Sequence, residues 1–109
     1  MPDKEGKSPL EETRMYRVEL WTLLGRRAGS LMLHMSSGCF SGMLSLMRSD
    51  NPVRGQVSAD GRCTLSGSIR TRVSTYPMTG EGLLFPERLE LLLHCAGMYL
   101  PLQGKRREE

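Results

Sequence analysis

Apolar residues recur at every second position through most of this chain, in short runs broken by turns that often carry glycine. Tyr16, Val18 and Leu20 alternate with Arg17 and Glu19, and Leu31, Leu33 and Met35 form the next set. Phe40, Leu44 and Leu46 follow with Gly42 among them, then Val53, Gly55 and Val57, then Cys63, Leu65, Gly67 and Ile69. Leu89, Leu91, Leu93 and Cys95 make a further run, and Met98, Leu100 and Leu102 the last. A period of two puts one set of side chains on one face of an extended chain, so the pattern specifies half-buried strands. The Asp60-Gly61 pair within Ala59–Arg62 suits a tight hairpin. Seven or eight strands at spacings of roughly 10–12 residues leave no room for helical crossovers. The chain is therefore expected to be all-β, an antiparallel up-and-down meander of about seven or eight short strands. Closing that meander into a small barrel or half-barrel buries its apolar face and removes its exposed edges.

One segment admits a second reading. Ser8-Pro9-Leu10-Glu11 has a capping-box pattern with proline at the first helical position, and Gly25 could end a helix. Arg14 to Leu20 nevertheless alternates cleanly, and a helix would bring Thr13 and Arg17 into its apolar arc. A strand from about 15 to 24 is preferred, preceded by a short helical turn. Residues 1–13 and 104–109 are almost wholly charged or small and read as polar tails. Between them, 14–103 form one domain, as a length of 109 residues allows.

Residues 40–57 match 65–82 at an offset of 25, with identities at Ser41/Ser66, Gly42/Gly67, Ser49/Ser74, Pro52/Pro77 and Gly55/Gly80. Glycine inside a strand permits a bend, and proline is tolerated where no ladder donor is lost. A strand–turn–strand unit used twice is the expected meaning. The strand–Gly–x–apolar cadence resembles streptavidin-like and other calycin barrels in architecture, without a motif that assigns a family.

Catalytic chemistry finds little footing. The two histidines are His34 and His94, and His94 points to the opposite strand face from its neighbour Cys95. Cys39, Cys63 and Cys95 are an odd number without CxxC spacing and read as reduced, part-buried packing thiols. Cysteines and histidines scattered singly do not form the closely spaced ligand pairs of a zinc site. Phosphate-binding glycine loops are absent, and Glu19 and Glu90 share the polar parity of their strands. No enzyme activity and no cofactor are expected. Met1 to Lys7 is polar and mixed in charge, unlike a secretory signal. No apolar run reaches the ~18 residues of a membrane span, so a cytoplasmic protein is expected.

The opposite parity is the informative one. Much of it is polar, including Arg17, Glu19, Ser30, Ser41, Ser45, Ser66, Ser68, Arg70 and Glu90. It also carries Trp21, Met32, Met43, Met47, Leu92 and Tyr99, with His34 among them as a candidate polar anchor. Contiguous apolar patches mark interaction surfaces, and methionine adapts to irregular contacts. The expected function is a non-catalytic interaction or assembly module, either self-associating or docking a protein partner through these residues. An alternative encloses them inside the barrel around an apolar, lipid-like or heterocyclic small molecule. A second alternative is a nucleic-acid-binding barrel. The net charge is only +3, and single-strand binding wants aromatic platforms where the chain has six aromatics, with Tyr16 and Phe40 at core parity.

Overall fold

The structure is a computed structural model that describes residues 11–46 and 48–107. Eight strands run in chain order: β1 (Glu11–Thr22), β2 (Gly25–Ser36), β3 (Cys39–Leu46), β4 (Ser49–Val57), β5 (Arg62–Arg70), β6 (Thr75–Leu84), β7 (Arg88–Cys95) and β8 (Met98–Arg106). Each pairs antiparallel with the next, and β8 returns to β1 through pairs running from Tyr16–Arg106 to Leu20–Leu102. The sheet is thus a closed up-and-down barrel, with no helix among the described residues.

The apolar parity lies inside. Tyr16, Val18, Leu20, Leu31, Leu33, Leu44, Leu46, Leu89, Leu93 and Leu102 are essentially inaccessible, and Phe40, Val53, Leu65, Ile69 and Met78 complete the packing. Eight strands enclose a space that side chains can fill. Filling it needs sharp coiling of the sheet, and Gly42 shows why. A methyl group there would collide with the Met32 carbonyl oxygen of the adjacent strand. On the next strand the Phe40 ring lies over Gly55, so a large side chain fills the gap left by a small neighbour.

Two polar groups are built into this interior. Asn51 is 1% exposed; its Nδ2 donates to the Leu44 carbonyl at 3.0 Å and its Oδ1 accepts from the Arg70 amide at 2.8 Å. The amide side chain therefore continues the sheet bonding where the β4–β5 ladder has ended at Val53–Gly67. At the opposite end Tyr16 Oη donates to the Phe85 carbonyl at 2.7 Å, and the Arg14 guanidinium, paired with Glu12, approaches the same hydroxyl at 3.4 Å.

Several expectations are corrected. β1 begins at Glu11, so Glu11–Thr13 belong to the sheet and not to a tail. Glu12 and Arg14 occupy inward parity at the barrel mouth, where their ion pair satisfies both charges. The strand stops at Thr22, and Leu23-Leu24 form the β1–β2 turn, which closes because Gly25 adopts φ +106°. The helical alternative for this segment is thereby excluded over the described residues, while Ser8 to Leu10 lie outside them. Gly104–Arg106 extend β8 and supply its pairing with β1. Met98 opens β8 at the rim and is exposed, unlike Leu100 and Leu102. Cys39 is exposed because Phe40 takes the inward position beside it. The matched segments fold as the consecutive hairpins β3–β4 and β5–β6, with Pro52 and Pro77 both outward.

Candidate functional site

Pairing registers decide which outward side chains meet. Met15 lies opposite Met32, Met32 opposite Met43, and Met43 opposite Pro52. These four form one outward row across β1 to β4. Met32 is 40% exposed, and Met15 and Met43 are half-buried against their neighbours. Adjacent rows are Thr13, His34, Ser41 and Arg54 on one side and Arg17, Ser30, Ser45 and Asp50 on the other, so they are small and uncharged on β2 and β3 and charged at their outer ends. Thr13 Oγ1 and His34 Nδ1 lie 3.3 Å apart, so His34 borders the methionine row and is anchored by a neighbouring strand. The outward positions of β2 from Ala28 and of β3 through Ser45 carry no formal charge.

Trp21, Leu92 and Tyr99 belong elsewhere. Leu92 lies opposite Pro101 on β8, and the His94 and Tyr99 rings stack with centroids 4.7 Å apart. Trp21 follows Leu20, whose partner is Leu102, so the register carries Trp21 toward Pro101. Its indole is covered by the Arg26 guanidinium at 5.6 Å. Glu81, opposite Leu92, and Glu19, paired with Arg26, make this second cluster charged at its margins. The expected single face is therefore two, one through Met32, His34 and Met43 and one through Leu92, Tyr99 and Trp21. Met47 lies outside the described residues.

All the described members of the set point outward, while the interior is occupied by the core. Among the described residues, several grooves open on the outside. One of about 880 Å³ lies near Cys39, Val57 and Arg62, and one of about 630 Å³ lies over β7–β8–β1, where Arg17, Glu19, Arg88 and Glu90 mix both signs. A third, about 1270 Å³, is lined by Arg27, Arg48, Arg70 and Arg72 with Asp50.

The thiols do not form a reactive pair. Burial pushes Cys63 up to about 11 and also raises Cys95, so both stay protonated at neutral pH. His94 faces outward onto Tyr99 while Cys95 faces the core. Among the described residues, no three His, Cys, Asp or Glu side chains converge as metal ligands.

Sequence parity missed Met15 and Pro52, which complete the methionine row, because a row is a property of register between strands. It also missed Leu23, Leu24 and Val73, which are 82–87% exposed. Two consecutive leucines directly before a glycine break the alternation, and that was the available signal. No protein-family model matches the chain, and no curated protein matches it in sequence.

Proposed function

We propose that this barrel is a non-catalytic interaction module that self-associates through the methionine row of β1 to β4. The observation that carries the reading is the cross-strand row Met15–Met32–Met43–Pro52, bordered by serine, threonine and histidine with Arg17, Arg54 and Asp50 at the outer ends of the flanking rows. Interface cores are depleted in charge and enriched in methionine, and their rims are polar. A face of this kind is self-complementary. Two copies related by a two-fold axis can cross their methionine rows while the flanking hydroxyls bond to one another or to water. The second cluster has Glu19, Arg26 and Glu81 at its margins, and its Trp21 indole is already covered by the Arg26 guanidinium.

Sedimentation velocity tests the reading directly. The expected result is a concentration-dependent dimer that Met32→Glu or Met43→Glu converts to monomer, with the circular dichroism spectrum unchanged. A strict monomer at high micromolar concentration overturns it.

A further inference from the structure

In an up-and-down barrel every odd-to-even turn lies at one end. Here that end carries the β1–β2 turn Leu23-Leu24, the β3–β4 turn with Arg48, the β5–β6 loop Thr71–Ser74 and the β7–β8 turn Ala96-Gly97. Trp21, Leu23, Leu24, Val73, Met98 and Tyr99 all sit at this end or within two residues of its turns, and all are exposed. The folding of the turns does not ask for them. Tight turns favour Gly, Asn, Asp and Ser, and nothing in the geometry of the β1–β2 turn beyond Gly25 requires leucine. Leu23 at 86%, Leu24 at 82% and Val73 at 87% exposure are aliphatic side chains held almost wholly in water.

Between the two aliphatic tips lies the arginine groove. Arg27, Arg48, Arg70 and Arg72 line it, and none of them forms an ion pair among the described residues. Its one acid, Asp50, accepts a hydrogen bond from Ser45 Oγ at 2.7 Å. Four guanidinium groups facing one carboxylate call for an anionic partner, and guanidinium matches phosphate oxygens. The groove has no aromatic lining on which bases could stack. Aliphatic tips flanking arginines instead match a bilayer surface, where side chains enter the acyl boundary and cations meet the headgroup phosphates.

We infer that the hairpin end of the barrel docks on an anionic lipid bilayer, with Leu23, Leu24 and Val73 inserting and Arg27, Arg48, Arg70 and Arg72 binding headgroup phosphates. The barrel then lies on the membrane and does not span it. The test is co-sedimentation of the full chain with phosphatidylcholine vesicles, with and without one-third phosphatidylserine. Binding to the anionic vesicles, weakened by salt, is expected. L23S/L24S should weaken it by about tenfold or more, and R48Q/R72Q by a similar factor, with circular dichroism unchanged for both. No binding at low salt overturns the inference. Equal binding by L23S/L24S also overturns it, since charge alone would then explain adsorption. Inorganic phosphate that abolishes vesicle binding where sodium chloride of equal ionic strength does not would assign the groove to a free anion. Binding to a single-stranded oligonucleotide as tight as to vesicles would assign it to nucleic acid. Either of those outcomes defeats the lipid assignment.

Discussion

Tyr16 and Phe85, separated by 69 residues, are joined by a 2.7 Å hydrogen bond from the phenol to the backbone carbonyl. Tyr16 stands in β1, and Phe85 begins the β6–β7 turn, so the bond ties the first strand to a turn on the far side of the sequence. The ring is surrounded by core while the Arg14 guanidinium stands beside the hydroxyl, and burial raises the phenol's pKa. Tyr16→Phe keeps the packing and removes this bond. The expected loss is about 1–2 kcal/mol in urea unfolding, with the slope unchanged.

Asn51 serves the other end of the barrel in the same way. Its truncation in Asn51→Ala strands the Arg70 amide and the Leu44 carbonyl without their side-chain partner. Equilibrium unfolding should show a loss of about 2–4 kcal/mol, among the largest for a single polar substitution here.

Gly42 and Gly25 separate two reasons for glycine. Gly42→Ala drives a methyl into the Met32 carbonyl of the neighbouring strand and should cost about 3 kcal/mol or more. At Gly25 a methyl meets nothing within 4 Å, so Gly25→Ala should cost only the left-handed backbone penalty of about 1–2 kcal/mol. Thermal melts of the two variants measure the difference.

Thiol reactivity reports the inside and the outside of the barrel. Of the three cysteines, Cys39 is exposed and Cys63 and Cys95 are buried. Brief alkylation of the native protein should add one group by mass spectrometry, and alkylation after denaturation should add three. Two or three rapid native adducts would show that the interior is open.

Cys63 also predicts a loss of stability in alkali. Burial raises its pKa from an ordinary value of 9.0 to about 11, so the folded state favours the neutral thiol. Its contribution is fully present below pH 9 and declines as pH rises toward about 11. The Tyr16 phenol, raised for the same reason, acts in the same direction above its ordinary value of 10.0. Urea midpoints should hold steady up to pH 9 and fall beyond it, and Cys63→Ala should fall less steeply relative to its own value at neutral pH.

Alternation alone locates the strands and separates Tyr16, Val18, Leu31, Leu33, Leu44 and Leu93, which go inside, from Met32, Leu92 and Trp21, which go outside. That much is local, because successive side chains on an extended chain must point to opposite faces. Glu12 is illegible as a strand residue because a charged side chain at inward parity makes sense only at a barrel mouth, where Arg14 pairs with it. Leu23-Leu24 looked like the end of a strand because the turn conformation depends on Gly25 and on pairing with β2.

The sequence by itself determined a single all-β meander and the identity of its buried face. Only the tertiary structure decided that β8 closes on β1, that Met32 meets Met15 and Met43 while Trp21 and Leu92 lie in a different cluster, and that the exposed leucines and arginines share one end. Parity says which face a side chain occupies and nothing about its position around the barrel. That position is set by register between strands and by closure between residues nearly a chain length apart, which no local pattern encodes.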